Sequence, residues 1–264
     1  GSGGQNVTTS AAAAGPAGYV VVGHRSARPG DAAVAAAWYT RAPGSGWSQA
    51  AVTGPGSPAG QLMNAVAATG SGFTAVGASG SRPAAWLSAA GRQWQEVTLP
   101  APAGADRAAL DYVATRGSIV VAAGTDFTAA GASGSFAEVS VDSGRAWTVV
   151  RFPVPAAGPG TGTTVTALTA AGGGFTVTGT YVTKAGPEVV VWTLQPGQPA
   201  TAPAAWSAVT PQGTGLSGAS AENAITALTA DGATLTGVGF TAPLSKSGTP
   251  GSQRPTLWQS PIRY

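Results

Sequence analysis

Side chains able to carry chemistry are few in this sequence, and their scarcity is the first constraint. The 264 residues include one histidine, His24, no cysteine, ten Asp plus Glu and thirteen Lys plus Arg. Without cysteine, thiol nucleophiles, disulfides and Cys/His zinc sites are excluded. A Ser-His-Asp triad would have to use His24, and neither Gly77-Ala-Ser79-Gly80 nor Gly131-Ala-Ser133-Gly134 has the G-x-S-x-G form of a nucleophile elbow. Glycoside hydrolysis commonly needs two carboxyls about 5 to 9.5 Å apart across one sugar. The segments that read as inner strands supply Asp111 alone, with Glu222 just outside them. One carboxylate also falls short of the about six to eight oxygens of a calcium cage, so no metal or cofactor is expected. Gly213-Thr-Gly215-Leu-Ser-Gly218 spells G-x-G-x-x-G, but it leads into a strand pattern and not into a phosphate-binding helix.

The cations do not add up to a nucleic-acid surface. The formal net charge is only +3, and the densest group is His24, Arg25 and Arg28. A stripe able to neutralise about six to ten phosphates is missing. Apolar runs such as Ala32 to Tyr39 are far shorter than the roughly 18 to 20 residues of a membrane-spanning helix. A charged fraction of 9% with 43% hydrophobic residues excludes a disordered tail. Eleven Arg against two Lys, with abundant Ala, Gly, Pro and Thr, is the coding bias of a high-GC, actinobacterial-type genome. The opening Gly-Ser-Gly-Gly, residues 1–4, reads as a tag remnant, so a native signal or anchor would have been removed.

Any site needs elements to hold it, and these follow from a repeat. A β-rich phrase ending in glycine recurs five times, as Tyr19–Gly23, Phe73–Gly77, Val120–Gly124, Phe175–Gly179 and Leu235–Gly239. The glycines are 54, 47, 55 and 60 residues apart by subtraction. Each phrase follows a short strand and a Gly turn: Thr9 to Gly15, Asn64 to Gly70, Asp111 to Gly117, Thr166 to Gly172 and Thr226 to Gly232. A third strand comes next, with Trp near its end at Trp38, Trp86, Trp192 and Trp258; the third copy has Ala137-Glu138-Val139 instead. A fourth strand starts at Trp47, Trp94, Trp147 and Trp206. Four short strands per unit of roughly 50 residues, with no helical periodicity, predict an all-β fold, a β-propeller of five four-stranded antiparallel blades. The chain reads as one domain, 1–264, with blades at about 7–55, 61–102, 108–156, 163–212 and 222–264. The fifth blade lacks its outer strand: either the N-terminal segment around Gly4 to Val7 closes the ring, or the native chain continues past Tyr264. Recurrent Trp residues are expected to pack blade on blade rather than to stack on sugars.

Ser140-Val-Asp142-Ser-Gly144-Arg-Ala-Trp147 fits S-x-D-x-G-x-x-W and resembles the Asp-box of sialidase-type, BNR-like propellers. Thr40-Arg-Ala42-Pro-Gly44-Ser-Gly-Trp47 keeps the spacing without the Asp, and Ser88-Ala-Ala-Gly91-Arg-Gln-Trp94 is one residue shorter. The resemblance implies a propeller whose boxes lie on the face away from any site. Its chemistry is not matched: the early Arg-Ile-Pro type motif is absent, and Tyr112 has no evident activating Glu.

In a propeller the loops from strand two to three and from strand four to the next strand one share a face. Here that face gathers His24, Arg25, Arg28, Asp31, Arg82, Asp106, Arg107, Asp126, Lys184, Lys246 and Arg254, with Asp111 and Glu222 near it; Arg41, Arg92, Arg116, Asp142, Arg145 and Asp231 fall on the other. Thr9, Asn64, Asp111, Thr166 and Thr226 form a polar ring on the inner strands. The expected function is non-catalytic: an extracytoplasmic, monomeric binding or scaffold domain presenting the loop face to a protein or cell-envelope glycan. The alternative is a glycan-active enzyme of glycoside hydrolase or sialidase type, or a lectin, using the same face.

Overall fold

The structure, a computed structural model, describes residues 6–54, 59–155, 162–183, 186–211, 221–231, 234–243 and 251–261. It is all-β, and among the described residues the one helical segment is a 3-10 turn at Pro203–Ala205. The first repeat forms an antiparallel sheet of β1 (Asn6–Gly15), β2 (Gly18–Ser26), β3 (Val34–Thr40) and β4 (Ser48–Gln49). After Ala50 the chain leaves that sheet, and β5 (Ala51–Thr53) runs parallel to the outer strand of the second repeat, a departure from a purely antiparallel unit. The second repeat is β6 (Gln61–Thr69), β7 (Gly72–Ser79), β8 (Arg82–Ser88) and β9 (Gln93–Thr98). The third is β10 (Arg107–Arg116), β11 (Ile119–Phe127), β12 (Ser133–Ser140) and β13 (Thr148–Arg151). The fourth is β14 (Gly162–Ala171), β15 (Gly174–Thr183), β16 (Gly186–Leu194) and β17 (Trp206–Val209). The fifth has three strands among the described residues, β18 (Ala221–Asp231), β19 (Thr234–Pro243) and β20 (Arg254–Pro261). Two compact units divide the chain, residues 1–122 with 138–149 and residues 123–137 with 150–264.

The glycine closing each repeat phrase has a use that its place in a strand hides. In four repeats the register between the first two strands slips by one residue directly after the partner of that glycine, at Thr9/Ala11, Met63/Ala65, Val165/Ala167 and Ile225/Ala227. These are β-bulges, in which an extra residue bends the strand and redirects a side chain. The bend brings the first strand so close that a Cβ at Gly23, Gly77, Gly179 or Gly239 would run into the carbonyl oxygen of Thr8, Leu62, Thr164 or Ala224. None of the four has a positive φ, so close approach and not turn conformation demands glycine there.

The bulges also correct which residue of the first repeat is equivalent to Asn64. The extra residues are Ser10, Asn64, Thr166 and Thr226, so the first repeat contributes Ser10 where Thr9 was expected. Its tight turn is Pro16-Ala17 between the paired Gly15 and Gly18, whereas in the second repeat the turn is Gly70-Ser71. Counting back from Gly15 therefore lands one residue early. Asn6 and Val7, expected in the closing segment, belong to β1, opposite Ser26 and Arg25.

In the first unit the sheets of repeats one and two bury a common core. Val20, Val22, Ala35, Ala37, Met63, Phe73, Trp86 and Trp94 are within it. Small Ala and Gly residues let the sheets approach, and the indoles fill the remaining width; such rings bury about 150 to 250 Å² each. In the second unit Phe152 stacks on Trp192 with ring centres 5.0 Å apart and meets Trp206 edge-on at the same distance. Trp47 departs from the packing role expected of it, with 51% of its surface exposed.

Glu138 is the exception within this apolar frame. Trp86 stands two residues before Ser88, and Glu138 stands two before the corresponding Ser140, so Glu138 and not Val139 holds the third-strand Trp position. It is fully buried, and neither carboxyl oxygen has a hydrogen-bond partner. Burial pushes its carboxyl up to about 8, so at neutral pH it is held as the acid.

Candidate functional site

At the end of the first unit where β2 finishes and β6 begins, a groove of about 340 Å³ is lined by Arg25, Gln49, Thr53 and Gln61 over a floor of Val34, Ala35, Ala50 and Val52. Each polar group is positioned by strand geometry. Arg25 is near the end of β2, paired with Val7 on one side and Val34 on the other. Gln49 ends the short β4, just before the chain crosses to β9. Gln61 opens β6; it is 4% exposed, and its Nε2 donates to Oε2 of Glu96 at 2.8 Å. Gly54 lies directly against Glu96, leaving no room for a side chain between it and the groove. The result is a concave surface with one guanidinium and several amide and hydroxyl groups, suited to a polar or anionic ligand.

The other expected site residues separate. His24 is half-buried within β2, opposite Thr8 and Ala35. Arg28 and Asp31 are exposed, and the Asp31 amide donates to the Arg28 carbonyl in a turn at 3.1 Å. Arg82 is exposed where β8 starts, opposite Ser79. Arg254, exposed, opens β20 opposite Thr241. Asp126 is buried and held by Arg151, which makes one short contact to Oδ1 and a second, from Nη2 to Oδ2, at 3.0 Å. A carboxylate spent on a two-pronged ion pair is a structural group, not a ready ligand. Lys184 and the G-x-G-x-x-G segment 213–218 lie outside the described residues.

Asp111 lies on β10, where Asn64 of β6 reaches it. Asn64 Nδ2 donates to Asp111 Oδ1 at 3.0 Å and to the Leu110 carbonyl at 3.1 Å, tying the second repeat to the third. Burial raises the Asp111 carboxyl above its ordinary range, and the Asn64 hydrogen bond offsets part of that rise. The Tyr112 phenol is raised too, first by burial and then by the Asp111 charge. In the second unit Thr166 shares a hydrogen bond with Thr178 at 3.2 Å, and Thr226 donates to the Val238 carbonyl at 3.3 Å.

The turn at 140–147 works through local hydrogen bonds. Asp142 Oδ1 accepts from the amides of Arg145 at 3.0 Å and Ala146 at 2.9 Å and from the Ser140 hydroxyl at 2.8 Å, which hold its carboxyl below the usual range. Gly144 N donates to Ser140 Oγ at 2.8 Å, and Trp147 Nε1 to the Gly144 carbonyl at 2.7 Å. The shortened copy keeps this frame without the Asp: Gly91 N donates to Ser88 Oγ at 2.8 Å and Trp94 Nε1 to the Gly91 carbonyl at 3.0 Å. Asp142 therefore serves the turn and faces no cavity described here.

Of the eight expected binding residues that the structure describes, Arg25 lines the groove and the other seven do not. Gln49 and Gln61 were missed because an uncharged amide gives no charge signal in sequence, and Glu96 because its partner Gln61 is 35 residues away. Among the described residues no three His, Cys, Asp or Glu side chains group as a metal site.

No family model matches the chain, and no curated protein matches it. Among solved structures it is similar to an α-L-arabinofuranosidase from Lactobacillus brevis, at 13% identity and a TM-score of 0.45 over 96% of this chain and 94% of that one. It is also similar to a protein of unknown function from Dyadobacter fermentans, at 8% identity and a TM-score of 0.50 over 95% of this chain and 82% of that one. The second likeness agrees with the all-β arrangement and goes no further.

Proposed function

We propose that the chain is a five-bladed, Asp-box-type propeller, a single domain over 1–264, that acts outside the cytoplasm as a monomeric, non-catalytic binding module. Its loop face receives a protein or cell-envelope glycan, and the Arg25 groove takes an acidic group of that partner. The observation that carries this reading is the chemistry of the groove: a guanidinium set among Gln49, Thr53 and Gln61 over an apolar floor, with Glu96 bonded to Gln61 and no carboxylate among the described lining residues. Such a surface binds and orients an anion but offers no acid-base pair. Further support comes from the employment of other carboxylates, Asp126 on Arg151, Glu96 on Gln61, Asp142 in its turn and Glu138 sealed in the interior.

A glycan-active enzyme is the second reading. Its support is Asp111, whose raised carboxyl and neighbouring Tyr112 would suit an acid catalyst. One calorimetric titration separates the two, with neutral and uronic-acid oligosaccharides of equal length as probes. The binding reading expects affinity for the acidic probe to fall at least about tenfold in Arg25→Glu. Thermal stability should be nearly unchanged, and Arg28→Glu should have the smaller effect. Equal binding by Arg25→Glu and the parent protein sinks the groove. Release of reducing ends that is lost in Asp111→Asn supports the enzyme instead.

A further inference from the structure

The repeats differ at two places beside the fourth-strand tryptophan. Trp47, Trp94, Trp147 and Trp206 hold one position, and in the first, third and fourth repeats the residues before and after it are Gly46 and Ser48, Ala146 and Thr148, and Ala205 and Ser207. The second repeat has two amides there instead, Gln93 and Gln95, both exposed. A small residue and a hydroxyl serve the other copies, so building the strand calls for neither glutamine.

Register shows what the exchange does. In the fourth repeat Ser207 stands opposite Thr193, and their hydroxyls share a hydrogen bond at 2.8 Å. In the second repeat the same two places hold Gln95 and Leu87. Leu87 can neither donate nor accept, and among the described residues no hydrogen bond takes up the side-chain amide of Gln95 or of Gln93. Opposite residues share a face of the sheet, as do residues two apart, so both amides and Leu87 stand on one side. That side walls a groove of about 360 Å³, joined by Thr53, which pairs with Gln95 across the parallel ladder, and by Ser143 and Arg145 from the turn of the third repeat. All its lining residues belong to the first unit, and the segments that supply them, 51–54, 69–73, 87–95 and 143–145, are described without a break. The volume is at the lower end of the roughly 300 to 1,000 Å³ of small-molecule sites, which suits a small ligand.

Charge decides the class of ligand. Arg145 is the one charged side chain among the described lining residues. Its Nη1 donates to the Asp142 carbonyl at 3.4 Å, and the Asp142 carboxylate beside it offsets its charge. The groove therefore has no net charge with which to hold an anion. Its remaining polar groups, amides and hydroxyls, each carry both a donor and an acceptor. An anion only accepts and would leave those acceptors facing its own oxygens, whereas a sugar hydroxyl answers both. We infer that this groove is a second binding site, for a neutral sugar residue, with Gln93 and Gln95 bonded to its hydroxyls and Leu87 against its C–H face. The two amides stand about 7 Å apart along the strand, a span that reaches hydroxyls on opposite sides of one ring. The groove lies where β6 ends at Thr69, whereas Gln61 of the Arg25 groove opens that strand; Thr53 is the one described residue that lines both. It stands whether or not the Arg25 groove takes an acidic group.

The probes are cellobiose, lactose, mannobiose and xylobiose, with digalacturonic acid as the acidic counterpart. Each is titrated into the full 264-residue chain, labelled with nitrogen-15, and followed by the side-chain amide resonances. At least one neutral disaccharide should bind saturably with a Kd of about 1 mM or tighter, shift the Gln93 and Gln95 amides, and bind more tightly than the acid. Gln93→Ala combined with Gln95→Ser installs the residue types that the fourth repeat carries at Ala205 and Ser207, so the strand is kept, and should weaken binding at least about tenfold. The inference is overturned if no neutral probe saturates, if the double variant binds as well as the parent, or if the acid binds more tightly at these amides. Binding that survives the double change and is lost in Arg25→Glu places the sugar in the Arg25 groove and overturns it too. Neutral binding retained in Arg25→Glu and lost in the double variant supports it, even where the Arg25 groove takes no acid.

Discussion

Replacing Glu138 by Gln should make the protein more stable at alkaline pH and remove part of its pH dependence. The folded-state carboxyl is raised from 4.5 to about 8 by burial. A raised carboxyl binds its proton more tightly in the folded chain than in the unfolded one. Its full contribution is therefore present below the unfolded value of about 4.5 and is lost as pH climbs to about 8, at about 1.4 kcal/mol per pH unit. Across that window the loss is on the order of 5 kcal/mol, an upper figure because local opening that admits water would cap it. Gln keeps the shape and cannot ionise, so the variant should match the parent near pH 4.5 and exceed it by a few kcal/mol near pH 8.5. For a chain of this size that is a rise of roughly 10 °C in Tm. The assay is differential scanning calorimetry of both proteins from pH 4.5 to 9. Other groups also titrate, notably Asp111 with its raised carboxyl and Asp142 with its lowered one, but they are common to both proteins and cancel in the difference. Difference curves flat to within about 1 °C across that range would refute the reasoning, because a carboxyl forced to stay neutral cannot be thermodynamically silent.

Two further outcomes test the fold. Arg151→Met strands the Asp126 carboxylate in a buried site and should cost about 3 kcal/mol in urea unfolding, while the double change with Asp126→Leu should recover most of it; additive losses would mean the pair is not coupled. Gly77→Ala drives a methyl into the Leu62 carbonyl and should cost more than about 2 kcal/mol, whereas Gly70→Ala, which meets nothing within 4 Å, should stay within about 1 kcal/mol; equal effects would remove the bulge argument.

Much of the fold was legible because strand repeats leave a local signature. Tyr19–Gly23, Phe73–Gly77 and their three copies mark second strands, and the Trp positions mark the third and fourth, since alternation, turn glycine and strand length are properties of neighbouring residues. The site was less legible. Asp126 was expected on the loop face, yet its partner Arg151 is 25 residues away; Gln61 was not singled out, yet Glu96, 35 residues on, holds it in the groove with Arg25.

The sequence alone determined the all-β class, the repeat and the lack of thiol or zinc-finger chemistry, because each depends on composition or short-range pattern. Only tertiary structure decided which polar groups are spent and which face a cavity. It turned the strand-two glycines from punctuation into points of close approach and moved the first repeat's equivalent of Asn64 from Thr9 to Ser10. It also put a carboxylic acid in the slot of a core tryptophan at Glu138. Those outcomes depend on what lies opposite a residue across a ladder or an adjacent sheet, and distance along the chain does not encode that without the register.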